Sequence, residues 1–235
     1  MSTILITGAG RGLGRKLVAS FVSRGWQVFG LVRKESDAET LAREYSSAFQ
    51  AIVSDVTSDR VDADIRSALD THGSALDVLV NNAGIPGSGN DIETLECEVI
   101  QSLLDVHLLG ALRCARACMP FLKLAPRPLI VNMTSRLGSA SRNASGEFAG
   151  MPFSYSYRIA KAAQNMFTLC LSQDDSRGEV RACGMHPGRL KTDSAAFDAD
   201  RDPAEAAERL AAWVESADDT VNGRCFDLFA TEMKW

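Results

Sequence analysis

The sequence predicts an α/β fold: one doubly wound parallel sheet of seven strands with helices on both faces. Three observations carry this. Short apolar runs rich in β-branched residues recur at 4–6, 28–32, 51–53, 78–80, 129–131, 180–185 and 225–229. Helix-period stretches separate each run from the next, the alternation that builds parallel sheets. The runs are continuously apolar instead of alternating, so the strands are covered on both faces.

In chain order, the first strand run is followed by a helix with Leu13, Leu17 and Phe21 on one stripe, spaced four residues apart. The segment 98–124 carries Ile100, Leu103, Leu104, Leu108, Ala111 and Ala115 on one face, and Pro120 is expected to bend or end that helix. Two stretches lack any period and are expected to be mobile loops. One is 138–152, rich in Ser, Gly, Ala and Asn; the other is 193–202. With no linker or repeat in the chain, 1–235 is expected to form a single domain, with halves of about 1–125 and 126–235.

Composition narrows the function classes. The net charge is −5, and the aromatics are not interleaved with lysine and arginine, which argues against nucleic acid as a partner. No apolar run approaches the length of a membrane span, and a cytoplasmic protein without membrane partners is expected. The six cysteines are scattered and the three histidines lack ligand spacing, so no metal site is expected and the thiols read as reduced.

Two motifs carry chemistry. T-G-A-G-R-G-L-G, Thr7 through Gly14, follows the first apolar run and precedes a helix. In that setting Gly8 permits a tight turn, Gly12 lets the backbone approach a pyrophosphate, and Gly14 lets the helix pack closely. The glycines run G-x-x-x-G-x-G instead of G-x-G-x-x-G, so the turn alone is a modest signal. Tyr157 and Lys161 stand four residues apart in Y-R-I-A-K, on one face of a helix. A cation stacked on a phenol favours the phenolate, which makes the pair an acid/base device. Tyr155 is the competing phenol, but Ile159 occupies the position four residues on.

Taken in order, T-G-A-G-R-G-L-G, Asp55-Val56, N-N-A-G at 81–84, N-M-T-S at 132–135, Y-R-I-A-K at 157–161 and H-P-G-R-L-K-T-D at 186–193 resemble the short-chain dehydrogenase/reductase family over almost the whole chain. S-R-L-G-S after Asn132 and the H-P-G-x-x-K-T-D stretch look most like its C-factor and sniffer branch of carbonyl reductases. The resemblance implies a Rossmann fold and an oxidoreductase. It implies that Gly8, Arg11, Gly12, Leu13 and Gly14 cradle a dinucleotide, that Asp55 and Val56 meet the adenine, and that Asn81, Ala83 and Gly84 flank the adenosine ribose. Pro187, Gly188 and Thr192 are expected at the nicotinamide end. Ser135 would polarise a carbonyl oxygen, Tyr157 would exchange a proton with it, and Lys161 would hold the ribose and lower the pKa of Tyr157.

The end of the second strand run reads Leu31-Val32-Arg33-Lys34, with no carboxylate before Glu35. A carboxylate there would bind the ribose 2′-hydroxyl, whereas Arg33, with Arg11 from the other side, suits a 2′-phosphate. NADP(H) is therefore expected over NAD(H), with a small carbonyl or alcohol substrate.

Two departures from the family pattern stand out. Its usual V-N-x-x-G reads Val106-His107-Leu108-Leu109-Gly110 here, and His107 lies on the apolar stripe and should face inward. An imidazole both accepts and donates, so His107 either continues a proton relay or is a hydrogen-bonded core residue. The separation of Ser135 from Tyr157 is long, which leaves a homodimer or homotetramer open. The second reading the resemblance allows is a dinucleotide-binding signalling or regulatory protein, and His107 is the feature that keeps it open.

Overall fold

A computed structural model describes residues 1–174, 180–192 and 197–235. The first half runs β1 (Thr3–Thr7), α1 (Gly12–Ser23), β2 (Gln27–Val32), α2 (Glu35–Tyr45), β3 (Phe49–Val53), α3 (Val61–His72), β4 (Val78–Asn81), α4 (Cys97–Leu104) and α5 (Ala111–Leu122). The second runs β5 (Leu129–Met133), α6 (Ala140–Ala144), α7 (Tyr155–Gln173), β6 (Arg181–His186), α8 (Pro203–Ser216), β7 (Cys225–Asp227) and β8 (Glu232–Met233). The described strands form one sheet in the order β3-β2-β1-β4-β5-β6-β7-β8. From β1 the chain winds outward to β3, then returns to place β4 on the other flank of β1. That reversal opens a crevice at the carboxyl ends of β1 and β4, where an open α/β sheet binds its ligand.

Because successive strand residues point to opposite faces, the sheet divides its apolar side chains between two cores. Ile4, Ile6, Val28 and Val131 pack with Leu17 and Phe21 of α1 and Leu210 of α8. Leu5, Phe29, Leu31, Leu79 and Ile130 pack with Ile65 and Leu69 of α3 and Cys114 and Cys118 of α5. Both faces are covered, which is why the strands read as unbroken apolar runs.

The structure amends the predicted elements in three places. Seven strands are parallel as expected, and an eighth, β8, pairs antiparallel with β7 through Cys225–Met233 and Phe226–Glu232. Two residues in a polar stretch carry no period, so nothing local marked it.

The expected helix over 98–124 is divided by a π-helical turn over 105–110. Pro120 lies inside α5 and does not end it at once. Proline removes the bond to the Arg116 carbonyl, and Arg66 of α3 donates to that carbonyl instead, at 3.1 Å.

The expected mobile loop 138–152 is held in place. Ser139 Oγ donates to the Lys234 carbonyl at 2.7 Å, Asn143 Nδ2 donates to the Leu137 carbonyl at 2.9 Å, and Phe148 and Phe153 bury against Leu137. Of the second expected loop, 193–196 lie outside the described residues. Lys191 N donates to the Arg201 carbonyl at 2.9 Å and secures its far end. Among the described residues no helix is long and apolar enough to cross a membrane.

Candidate active site

A cleft of about 980 Å³ opens along the carboxyl ends of the central strands. The glycine turn forms one end. Gly12 has φ +53°, in the left-handed region, and a Cβ built there would meet only the Thr192 side chain, at 3.7 Å, so the turn backbone stays open to the cleft. A Cβ on Gly14 would lie 2.1 Å from the Gly8 carbonyl oxygen, so α1 sits this close to β1 only without one. The first turn of α1 carries no acidic residue, and its free N–H groups and dipole favour an anion. Thr7 Oγ1 accepts from the amides of Asn82 and Ala83 at 3.0 and 2.9 Å, which fixes the N-N-A-G segment beside this turn.

Gly8, Arg11, Gly12, Leu13, Gly14, Arg33, Asp55, Val56, Ala83, Gly84, Pro187, Gly188 and Thr192 all line the cleft. Asn81 does not. As the last residue of β4 it turns into the core, 3 % exposed, and donates to Asn132 Oδ1 at 2.8 Å. Its neighbour Asn82, one step past the strand, takes the cleft position and donates from Nδ2 to the Thr7 carbonyl at 2.9 Å. Strand alternation is the signal that separates the two.

Asp37 was not anticipated. It comes from the first turn of α2, and its carboxylate lies where a Cβ of Gly10 would be, 2.6 Å from Oδ2. It lines the same end as Arg33, and Arg33 in turn lies 3.9 Å from Asp55. The cleft rim therefore pairs cations with carboxylates that the order of residues along β2 did not reveal.

At the other end, Ser135 after β5, Tyr157 and Lys161 of α7, and His107 of the 105–110 turn are brought together from three different segments. Ser135 follows β5, and its Oγ accepts from Leu137 N at 3.2 Å. Ser154 caps α7 by accepting from Tyr157 N, which sets the phenol one turn from Lys161. Lys161 is 5 % exposed, and its Nζ donates to the Met133 carbonyl at 2.6 Å and to Gln164 Oε1 at 2.9 Å. Its Nζ lies 5.8 Å from the Tyr157 ring centroid. Tyr155 stays at the surface and lines no part of the cleft.

The electrostatics differ from the sequence expectation. Burial pushes Tyr157 up to about 12, with a hydrogen bond involving Ser135 acting the other way, and no lowering by Lys161 is felt. Burial likewise pulls Lys161 down to about 7. Each group is driven towards its neutral form because the cleft withdraws it from water.

His107 faces inward as expected and is 2 % exposed. Its Nε2 lies 2.9 Å from the Ile85 carbonyl oxygen and 3.3 Å from the Ile85 amide nitrogen, and its buried Nδ1 has no partner among the described residues. Burial and the Lys161 charge pull its pKa down to about 3.

The cleft is also lined by His186, Arg136, Phe153, Phe197 and Asp198, which were not singled out from the sequence, although His186 opens the H-P-G-R-L-K-T-D stretch. Arg136 sits directly after Ser135, which is the one hint of its place.

A strand-turn-helix cradle at one end of a cleft and a phenol, an ammonium and a hydroxyl at the other define a dinucleotide-dependent oxidoreductase of the short-chain type. The chain belongs to the short-chain dehydrogenase family, whose model matches residues 2–202. It is 30 % identical, over 100 % of both chains, to a 1-hydroxy-2-glutathionyl-2-methyl-3-butene dehydrogenase of Rhodococcus sp. strain AD45. It is 29 % identical to the C-signal protein of Myxococcus xanthus, covering 68 % of this chain and 93 % of that one. Among solved structures, the carbonyl reductase Sniffer of D. melanogaster superposes with a TM-score of 0.89 at 28 % identity, covering 100 % of both.

Proposed function

We propose that the chain is an NADP(H)-dependent carbonyl reductase acting on a small aldehyde or ketone. The observation that carries this reading is the convergence of Ser135, Tyr157 and Lys161 on one cleft with the glycine turn.

The open backbone at Gly12 and the acid-free first turn of α1 suit a pyrophosphate, so the cleft fits a dinucleotide. Gly8 through Gly14 would hold the pyrophosphate, Asp55 and Val56 the adenine, Ala83 and Gly84 the ribose beside it, and Pro187, Gly188 and Thr192 the nicotinamide end. Arg33, with Arg11 nearby, would take a 2′-phosphate. A nicotinamide held there would supply the hydride chemistry, giving a hydride to a carbonyl carbon or taking one from an alcohol carbon.

Ser135 donates a hydrogen bond to the carbonyl oxygen and stabilises the charge that gathers there. Tyr157 then gives that oxygen its proton. A phenol held up to about 12 is protonated at neutral pH, so Tyr157 has a proton to donate. The phenolate left behind has the Lys161 Nζ 5.8 Å from its ring centroid.

Tyr157→Phe should lower kcat/KM for NADPH-driven reduction by about 10²–10⁴-fold; full activity in that variant would refute the assignment. Exposed Leu109, Leu112, Ile159 and Met166 on α5, α7 and the turn before α5 support a homodimer or homotetramer. Six free cysteines, four of them buried, suit a cytoplasmic protein.

One observation favours a second reading, a dinucleotide-binding signalling protein. It is the similarity to the C-signal protein, together with the histidine at position 107. Tight NADPH binding without turnover across aldehydes, ketones and diketones would favour it.

A further inference from the structure

Arg136 places a permanent cation next to Ser135, and what surrounds that cation decides which substrates it admits. Its guanidinium lies over the Phe148 and Phe153 rings, 5.5 and 5.4 Å from their centroids. Phe197 stacks on Phe153 in turn, centroids 5.3 Å apart. With the flat face of the guanidinium set against rings, its N–H edge is what remains for an anion. Asp198 holds that edge by accepting from Nη2, and it is the one ion-pair partner of Arg136 among the described residues. Both side chains are mostly buried, 15 % and 20 % exposed, so the pair is little weakened by solvent.

Arg189 is 3.6 Å from the same carboxylate, but it also pairs with Asp200. Removing the charge of Asp198 would therefore leave Arg189 partnered and Arg136 alone. A substrate carboxylate entering this end of the cleft finds the N–H edge of Arg136 already taken by Asp198.

We propose that Asp198 is a specificity-determining residue, which masks the Arg136 guanidinium beside Ser135 so that the cleft takes an uncharged carbonyl compound and rejects one bearing a carboxylate. The proposal rests on the reductase reading.

The test compares benzaldehyde with 4-carboxybenzaldehyde in NADPH-driven reduction. The wild-type chain should favour benzaldehyde. In Asp198→Asn the kcat/KM ratio should shift by about tenfold towards the carboxylate, the size of one charge-assisted contact. Asp198→Glu should keep the wild-type ratio, and Asp198→Asn combined with Arg136→Gln should restore it. A pair that only fastens the two segments together would leave the ratio unmoved in Asp198→Asn, and that result would overturn the proposal. The same ratio is read from binding to the NADP(H)-loaded chain by ligand-observed NMR. Absence of turnover of both aldehydes would then count against the reductase reading alone, while an unchanged binding ratio would count against Asp198 alone.

Discussion

The His107 ring stands edge-on to the Tyr157 ring, centroids 5.5 Å apart and planes at 90°. A buried imidazole thus braces the phenol of the proposed acid/base pair from the side of α4 and α5, and its own Nε2 is tied to the backbone at Ile85. Held down to about 3, the imidazole is neutral throughout the working pH range.

His107→Asn should therefore preserve or raise turnover, because an amide also both donates and accepts. A collapse of kcat with an unchanged circular dichroism spectrum would mean that the imidazole has a part of its own. Stability gives an independent reading. The unfolded chain protonates His107 below about 6.5 and the folded chain resists until about 3, so stability is lost as pH falls through that window. His186, held down to about 4, acts with the same sign. Melting curves at pH 7 and pH 4 should show a smaller drop for His107→Asn than for the wild type.

Lys161 should produce a second, opposite-lying window. Its folded pKa of about 7 is below the ordinary 10.5, so from pH 7 to 10.5 the unfolded chain binds the extra proton. Stability of the cofactor-free chain then rises with pH across that range, and the penalty for the buried charge is complete below pH 7. Thermal melts between pH 7 and 9 should show the rise in wild type and a flatter line in Lys161→Met. Equal slopes would argue against a depressed lysine.

Arg33→Ala should raise the Michaelis constant for NADPH about tenfold and leave that for NADH nearly unchanged. Asp37→Asn should move the two constants the other way, since a carboxylate at Gly10 repels a 2′-phosphate. A clear wild-type preference for NADH would defeat the cofactor assignment.

Gly14→Ala forces a methyl against the Gly8 carbonyl. It should destabilise the fold by ~1–3 kcal/mol, as overpacking does, and abolish NADPH binding measured by tryptophan fluorescence. Wild-type binding would show that α1 shifts without harm.

Most of the parallel sheet could be read along the chain, because buried strands and amphipathic helices write their period into consecutive residues. The glycine turn and the Tyr157–Lys161 spacing were legible for the same reason: each is a local pattern with a local geometric requirement. The π-helical turn over 105–110 was not, since its residues continue the apolar helix period on either side; its Gly110 packs so closely on Val56 that a Cβ there would lie 2.9 Å away. Nor was β8, which exists only because a turn after β7 returns it to a free edge.

The sequence by itself determined the α/β architecture, the family, and the residue types for binding a dinucleotide and moving a proton. Only the tertiary structure decided that Asn82 and not Asn81 lines the cleft, that Asp37 reaches the glycine turn, and that Asp198 covers Arg136 across a separation of 62 residues. Periodicity and spacing reach about one element. Which charges neutralise one another, and which titrating groups lose their water, depends on elements distant in the chain that meet only when the sheet closes its crevice.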